Sequence, residues 1–327
     1  MRAIRFDRFG EPSEVLRVED RPDPEPRFGE VVVRMTATPI NPSDLLVVRG
    51  LYGVLPQLPA TPGFEGVGVV EDGRGPIAKL LVGRRVAVIN QAGGNWAERV
   101  CVPALRAIPV PADLPDDQAA SFFVNPATVL AMVRHVLQVP RGAWLLQSAA
   151  GSALGKMIIK LGIHDGFRTI NVVRRPSAIA ELQALGGDAV ISTTDGPIER
   201  QVEEITGGAM VRYALDPVGG DIGTGVFNSL AADSRMLVYG TLSNEPIRVD
   251  SRRMIAGKRV VEGFWLGHWM QGRSKIKAVP LFREIARLIR SGVLSTDPGP
   301  RFPLEAIQPA ARAAEAIGKA GKVLLTL

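Results

Sequence analysis

The sequence predicts an α/β protein in which a β-rich lobe is joined to a doubly wound parallel sheet of six strands. Up to about residue 120 the chain consists of short strand-like segments separated by Pro and Gly. From about residue 121 strands alternate with helical stretches, which is typical of a parallel sheet with crossover helices. A length of 327 residues also favours two lobes over a single core.

The β-rich lobe is predicted from apolar and polar residues that alternate over short distances, as they do in strands. The segments with this pattern are AIRFDRF (3–9), VLRVEDR (15–21), EVVVRMTAT (30–38), GVGVVED (66–72), RRVAVIN (84–90) and WAERVCVP (96–103). The tail GKVLLTL (321–327) is short, apolar and extended, so we expect it to return to this lobe. The lobe is therefore predicted to be split, with residues 1–120 and 278–327.

Residues 121–277 are predicted to form the second domain. Its expected strands are AWLLQSA (143–149), TINVVRR (169–175), DAVIST (188–193), VRYALDPVGG (211–220), RMLVYGT (235–241) and RVVEGFWLG (259–267). Its expected helices are residues 125–137, a helix starting at Ala153, and residues 176–185, 198–206 and 222–231. A further helix is predicted over 277–292, where apolar residues recur at helical spacing.

Composition excludes several classes of protein. Cys101 is the single cysteine, so a disulfide within the chain and a cysteine-rich zinc site are ruled out. The first residues lack the pattern of a signal peptide and no apolar run reaches membrane-spanning length, which predicts a cytoplasmic protein that is not in a membrane. Lys and Arg number 39 against 33 Asp and Glu, a mild basic excess whose residues are scattered rather than interleaved with aromatics. Nucleic-acid binding is therefore disfavoured.

The segment AWLLQSAAGSALGKM places small residues where a strand is predicted to turn into a helix. In a dinucleotide-binding turn such residues permit a tight bend, a close approach of the pyrophosphate and close helix–strand packing. In that register they are Ala150, Ser152 and Gly155, with Gly151, Ala153 and Leu154 completing the turn. A simple packing point between strand and helix is the alternative. Because the turn opens a series of βα units, we favour a Rossmann dinucleotide site.

The next predicted strand ends in two arginines, Arg174 and Arg175, about twenty residues beyond Gly155. An NAD site usually has Asp or Glu there to bind the adenosine ribose. Arginine instead suits a 2′-phosphate, so the sequence predicts NADPH as the cofactor. Which of the two arginines would hold the phosphate is left open.

Motifs along nearly the whole chain resemble one family. They are INPSD (40–44), GLYGVLPQLPA (50–60), GFEGVG (63–68), VNPAT (124–128), TINVVRR (169–175), YGT (239–241), GFWL (263–266) and GKVLLTL (321–327). In these motifs the chain resembles the zinc-independent medium-chain dehydrogenase/reductase superfamily, and most closely its mitochondrial-type trans-2-enoyl-thioester (enoyl-CoA or enoyl-acyl carrier protein) reductases. The resemblance implies a GroES-like catalytic lobe around a six-stranded Rossmann domain, and a homodimer.

The resemblance also implies a catalytic role for Tyr52. NADPH would reduce the double bond of an α,β-unsaturated thioester, and the Tyr52 hydroxyl would stabilise the enolate-like oxygen or donate the proton. Zinc-dependent relatives have a histidine just before the glutamate of the GFEGVG stretch. Phe64 stands there, so no catalytic metal is expected, and Glu65 is expected to brace the turn.

Further positions are implied by the resemblance to contact the cofactor. They are Asn125, Tyr239, Gly240, Thr241, Phe264, Trp265, Leu266 and Lys322. The histidines His135, His164 and His268 show no metal-ligand spacing. Two other functions stay open: an NADPH:quinone oxidoreductase of the same superfamily, and, ranked third, a non-catalytic NADPH- or nucleic-acid-binding protein. The sequence leaves open the acyl chain length and the thioester carrier, coenzyme A or acyl carrier protein.

Overall fold

The computed structural model describes residues 1–90, 93–271, 275–316, 318 and 321–327. The chain divides into two compact units. The first unit contains Met1–Asn125, Ser274–Ser291 and Ser295–Leu327, and the second contains Pro126–Arg273 and Gly292–Leu294. Within the described residues, no helix is both long and apolar enough to cross a membrane.

The regular elements follow in chain order. The strands are β1 (Arg2–Arg5), β2 (Arg17–Asp20), β3 (Glu30–Pro39), β4 (Glu65–Gly73), β5 (Arg85–Ile89), β6 (Arg99–Pro103), β7 (Ala107–Pro109), β8 (Trp144–Gln147), β9 (Arg168–Val173), β10 (Ala189–Ser192), β11 (Val211–Asp216), β12 (Leu230–Val238), β13 (Val260–Gly263), β14 (Pro298–Pro303) and β15 (Lys322–Thr326). The helices are α1 (Pro12–Val15), α2 (Pro42–Val48), α3 (Pro76–Leu81), α4 (Asp116–Ala120), α5 (Val124–Leu130), α6 (Ala153–Asp165), α7 (Ile179–Ala184), α8 (Ile198–Thr206), α9 (Gly220–Asn228), α10 (Ser251–Gly257), α11 (Leu266–Met270), α12 (Lys275–Arg290) and α13 (Ile307–Glu315). A π-helical segment, Ala131–Val136, continues α5, and short 3₁₀ segments lie at Ala104–Arg106, Pro176–Ala178 and Leu304–Ala306.

The first unit is built on a sheet of seven described strands in the order β14-β15-β3-β4-β5-β7, with β6 also paired to β3. The strand β15 pairs antiparallel with β3, and β14 pairs parallel with β15. The predicted return of the tail to the β-rich lobe is thus confirmed. The first segment of the chain differs from expectation, because β1 ends at Arg5 and pairs with β2 in a separate two-stranded sheet, with a single further bridge from Ala3 to Ala97.

The second unit contains a parallel sheet of six strands in the order β10-β9-β8-β11-β12-β13. This order confirms the doubly wound α/β fold, whose order reverses between β8 and β11. Helices pack against the sheet, so its central strands β8, β9 and β11 are largely buried. The core of the unit is formed by fully buried side chains such as Leu146, Ile170, Phe227 and Met236.

The predicted strand over 259–267 is only partly correct. The strand β13 ends at Gly263, and the backbone N–H of Phe264 adds one further bond to Val238 O at 2.8 Å. The chain then turns into the short helix α11 with Trp265 as its N-cap residue. The helix α10, which starts after the capping side chain of Asp250, was not predicted.

Candidate functional site

The turn between β8 and α6 has the close packing that the small residues predict. A Cβ added to Gly155 would lie 2.5 Å from Ala150 O, so only glycine allows the helix to pack this near the strand. Ser152 is the N-cap of α6, and its Oγ accepts a hydrogen bond from the Gly155 N–H at 3.1 Å. Gly166 ends the helix in the left-handed conformation at φ 84°. Helix and strand are therefore held together on one side of the turn.

The other side of the turn is open. Gly151 and Ser152 are exposed, Ala153 is half-buried, and a Cβ on Gly151 would meet no atom within 4 Å. Leu154 and Ala150 are buried and hold the turn against the sheet. The first N–H groups of a helix lack partners within the helix and attract anions. This open helix start fits the pyrophosphate of a dinucleotide.

The strand β9 ends immediately before Arg174 and Arg175, and both side chains are exposed. No ion pair to either guanidinium is found in the described part of the chain. Two arginines at the end of the second strand suit a 2′-phosphate, and their contact with it stays a prediction.

The carboxyl edge of the sheet carries an interaction that the sequence reading missed. Ser148 Oγ, just after β8, donates to Asp216 Oδ1 at the end of β11. The backbone N–H groups of Val218 and Gly219 donate to the same carboxylate at 3.2 and 2.8 Å. Burial raises the pKa of Asp216. The Asp216 carboxylate therefore fixes the loop after β11 beside the start of the turn between β8 and α6. The sequence feature that could have indicated this interaction is the run Asp-Pro-Val-Gly-Gly directly after a predicted strand.

Tyr239 and Gly240 follow β12 at the same edge. Within the described part of the chain the buried Tyr239 Oη has no hydrogen-bond partner, and burial, assisted by the charge of Asp216, raises its pKa. A buried hydroxyl without a partner is costly, so this atom fits a site that a polar ligand completes. A Cβ on Gly240 would lie 2.9 Å from Pro217 O, and Thr241 is exposed beyond it.

The remaining predicted cofactor positions lie in two places. After β13, Phe264, Trp265 and Leu266 are half-buried, so none of them is a core residue. Asn125 is the second residue of α5, so it is not an N-cap, and its side chain is half-buried. Their cofactor contacts stay predictions.

Tyr52 lies in the first unit, in the loop after α2. Its ring is half-buried against the apolar core of that unit, and its centroid lies 5.3 Å from the Phe64 centroid. Its neighbours Leu51 and Val54 are 60% and 62% exposed. The hydroxyl-bearing ring is thus placed in a loop whose exposed side chains are largely apolar, which suits a substrate with an acyl chain.

A buried polar cluster underlies this loop. Lys322 Nζ donates to Asn41 Oδ1, and Asn41 Nδ2 donates to Glu65 Oε1 at 3.1 Å. Glu65 Oε2 accepts from the backbone N–H groups of Phe123 and Val124 at 3.0 and 2.8 Å. Glu65 therefore joins β4 to the start of α5, which is the bracing function expected for it.

Asp44 completes the cluster and reaches the residue beside Tyr52. Its carboxylate accepts from the backbone N–H of Asn41 at 2.7 Å, closing the capping box of α2, and from the N–H of Phe64 at 3.0 Å. Burial raises the pKa of Asp44 to about 7 and raises that of Glu65 as well. Burial lowers the pKa of Lys322, against the attraction of the two carboxylates. Lys322 is only 6% exposed, and its predicted cofactor contact stays a prediction.

The other candidate side chains have local partners. Cys101 Sγ lies 3.3 Å from Glu30 Oε2, and burial raises the pKa of the thiol to about 11. His164 contacts Asp165, while His135 and His268 contact the rings of Trp269 and Trp265 respectively. Among the described residues, no three His, Cys, Asp or Glu side chains come together as a metal ion would require.

Comparison with protein families gives two matches. Residues 27–112 match the family described as alcohol dehydrogenase GroES-like domain, and residues 153–283 match the family described as zinc-binding dehydrogenase.

Among curated proteins, the chain is similar to mitochondrial enoyl-[acyl-carrier-protein] reductases. The protein of Xenopus tropicalis is 32% identical over 93% of this chain and 89% of its own length. The human protein is 31% identical over 100% of this chain and 89% of its own length.

Solved structures of two kinds are similar over 100% of this chain. A putative NADPH:quinone reductase from Bacillus thuringiensis is 33% identical with a TM-score of 0.94 over 98% of its own chain. The quinone oxidoreductase of Escherichia coli complexed with NADPH is 25% identical with a TM-score of 0.92 over 100% of its chain. The complex of Etr1p with NADP and crotonyl-CoA is 26% identical with a TM-score of 0.86 over 99% of its chain.

Proposed function

Because this chain belongs to the medium-chain dehydrogenase/reductase superfamily, we propose that it reduces the 2,3 double bond of trans-2-enoyl thioesters with NADPH. The curated relatives named above are enoyl reductases, and one similar structure contains crotonyl-CoA, a short enoyl thioester. The observation that carries the proposal is Tyr52, a phenol in an apolar loop beside Phe64.

NADPH fits the residues of the second unit. The open start of α6 from Gly151 to Ala153 would hold the pyrophosphate, and Arg174 with Arg175 would bind the 2′-phosphate. The unpartnered Tyr239 hydroxyl would gain a polar partner near the nicotinamide end. When bound, this cofactor supplies the hydride for the reduction.

Tyr52 is proposed to act on the thioester itself. Reduction adds a hydride equivalent to C3 and a proton to C2, and negative charge develops meanwhile on the thioester oxygen. The Tyr52 hydroxyl stabilises that oxygen by a hydrogen bond or gives its proton to C2, and solvent restores the phenol. The Phe64 ring, packed against Tyr52, fixes the position of the phenol, and the apolar loop keeps water from competing with it.

A second candidate function is NADPH:quinone oxidoreduction. It is favoured by the structural likeness to quinone reductases, one of which has a TM-score of 0.94 with this chain. A quinone oxygen takes its protons from solvent, so this reaction does not require Tyr52.

One experiment separates the two functions: NADPH oxidation by the purified protein with crotonyl-CoA and with a simple quinone, before and after Tyr52→Phe. The ring and its packing remain, so fold and NADPH affinity should be retained. Turnover with crotonyl-CoA should fall about 10²–10⁴-fold, the usual contribution of general acid catalysis. Tyr213→Phe is the matched control, because Tyr213 is half-buried on β11 in the other unit. If Tyr52→Phe reduces crotonyl-CoA at the parental rate, the assignment to Tyr52 is wrong.

We also propose that the protein is a homodimer, as the family resemblance implies, and that it is cytoplasmic, as the sequence predicts. The curated relatives are named mitochondrial proteins, so the location is best tested directly by fractionation of the source cells. Sedimentation velocity would test the homodimer.

A further inference from the structure

The first unit contains an open groove of about 1010 Å³. One wall is a face of α12, and the other wall is formed by α3 and residues 104–111. Among the described residues that line it, none belongs to the loop that carries Tyr52. Cavities that bind small molecules have volumes of about 300–1,000 Å³, so this groove is large enough for a ligand of its own. We call it the α12 groove.

The lining of the α12 groove is largely apolar. Phe122 and Val110 line it as buried residues, whereas Ile77, Leu105 and Val279 line it with 55%, 51% and 43% of their surface exposed. Single exposed apolar side chains are ordinary on a protein surface, but several that line one concavity mark a contact site. An apolar chain lying in the groove would remove this surface from water, which is favourable.

The charged side chains that line the groove are all arginines, namely Arg283, Arg287 and Arg290. At this spacing they lie on one face of α12, within about 10 Å of one another along the helix. Arg290 is paired with Asp113 at 2.6 Å. In the part of the chain that the structure describes, Arg283 and Arg287 have no ion-pair partner, and no acidic side chain lines the groove. Two exposed guanidinium groups one helical turn apart are thus left for an anion.

The lining also bears on the kind of molecule that fits. Apart from the arginines, Ser291 is the one polar side chain among the described lining residues. A peptide backbone covered by such a surface would leave N–H and C=O groups without side-chain partners, which is costly. A hydrocarbon chain has no such groups. An apolar chain with a single anionic head therefore matches the groove better than a protein segment does.

We propose that the α12 groove is a ligand site that binds a fatty carboxylate. The hydrocarbon chain lies between α12 and residues 104–111, and the carboxylate lies on Arg283 and Arg287. A planar guanidinium suits this head group because it can donate two parallel hydrogen bonds to the two carboxylate oxygens. The inference does not depend on the proposed function, since neither Tyr52 nor any residue assigned to the cofactor lines the groove.

Equilibrium dialysis of the full chain, saturated with NADP⁺, against radiolabelled decanoate measures the binding directly. The NADP⁺ keeps decanoate away from the arginines proposed for the 2′-phosphate. One decanoate should bind per chain, and the affinity should rise about two- to fourfold for each methylene added between octanoate and dodecanoate, as expected for burial of a CH₂ group. Decanol, the neutral analogue, should bind at least about tenfold more weakly, because it makes no charge-assisted hydrogen bond.

Two double variants test the head-group contact. Arg283→Glu/Arg287→Glu should weaken decanoate at least about tenfold, since the charge at the head is reversed, and should leave the affinity for decanol within about twofold of the parent. Arg301→Glu/Arg312→Glu makes the same change of net charge at two exposed arginines of the same unit that do not line the groove. This control should bind decanoate as the parent does.

Two more double variants test where the chain lies. Leu105→Ser/Val279→Ser removes exposed apolar contacts of the groove without altering its charge, and should weaken decanoate and decanol alike. Leu51→Ser/Val54→Ser removes exposed apolar side chains of the loop that carries Tyr52, and should leave decanoate binding unchanged.

The opposite results overturn the proposal. Equal affinities for decanol and decanoate would show that the arginines do not recognise the head group. Loss of binding in Leu51→Ser/Val54→Ser would place the chain at the Tyr52 loop instead. The site is also refuted if decanoate does not bind saturably, or if it binds Arg283→Glu/Arg287→Glu as tightly as the parent. A changed sedimentation coefficient of that variant without ligand would make the groove a contact between copies of the chain.

Discussion

Glu65→Gln should destabilise the first unit strongly, although glutamine has nearly the same size and shape. The Glu65 carboxylate accepts three hydrogen bonds, two from backbone N–H groups and one from Asn41 Nδ2. A glutamine amide can accept on one side only, so its own NH₂ would face a donor on the other side. The buried Lys322 would also lose a counter-charge.

The magnitude follows from these contacts. A hydrogen bond to a charged group contributes about 1.5–3 kcal/mol, and removing one of two opposite buried charges that interact costs up to about 3–5 kcal/mol. These terms overlap, so we expect the free energy of unfolding to fall by about 3–5 kcal/mol. Native-state hydrogen exchange of the β4 amides in increasing urea measures the first unit without requiring both units to unfold together.

Two comparisons make the measurement decisive. Glu71→Gln changes another residue of β4, whose partly exposed carboxylate contacts Arg34 and Arg99, and should cost at most about 1 kcal/mol. Adding Lys322→Met to Glu65→Gln should recover part of the loss, because it removes the buried ammonium that has lost one of its two nearby carboxylates. A cost for Glu65→Gln as small as that for Glu71→Gln would refute the reasoning.

Three other predictions concern pH, cofactor and metal. Burial raises the pKa of Asp44 to about 7, so the folded protein binds more protons than the unfolded chain between about pH 4 and 7. Asp44 therefore makes the free energy of unfolding fall as pH rises through that window, by up to about 1.4 kcal/mol per pH unit. Urea midpoints measured at pH 5, 6, 7 and 8 should show a smaller pH dependence in Asp44→Asn. NADPH should bind much more tightly than NADH, and neutral replacement of Arg174 and Arg175 should remove about one to two decades of that preference per phosphate contact; equal dissociation constants in the parent would contradict it. Prolonged chelation should leave activity intact, because Phe64 has no ligand atom, and a stoichiometric zinc needed for activity would disprove this.

The sequence predicted those features of the fold that depend on local pattern. Alternating strands and helices gave the doubly wound sheet of six strands, and a short apolar tail gave the returning strand β15. Boundaries were wrong where local pattern and tertiary contact disagree. The apolar run after Gly263 has the composition of a strand, yet it leaves the sheet and forms α11. The alternation over 3–9 likewise did not reveal that β1 ends at Arg5 and forms a separate two-stranded sheet with β2.

The features of the candidate site also divide into those that a local sequence pattern predicted and those that depend on contacts between distant residues. The dinucleotide turn is a contiguous stretch, so its residue sizes showed the close packing of Gly155 on Ala150 before the structure did. The bond between Ser148 and Asp216 joins the ends of two neighbouring strands that lie 68 positions apart in sequence. The bond from Lys322 to Asn41 joins residues 281 positions apart. No local pattern contains these pairings, because the order of strands in the sheets creates them.

The buried cluster connects those distant residues to the chemistry proposed for Tyr52. Glu65 needs no metal or histidine to satisfy its carboxylate, since Asn41 and the N–H groups at the start of α5 donate to it and Lys322 balances its charge. Asp44 holds the backbone of Phe64, and the Phe64 ring packs on Tyr52. The Phe64 ring therefore stands beside Glu65 without leaving a buried charge unpaired, and it gives the phenol a fixed neighbour. In this arrangement the position of the proposed proton donor depends on residues that need not touch the substrate.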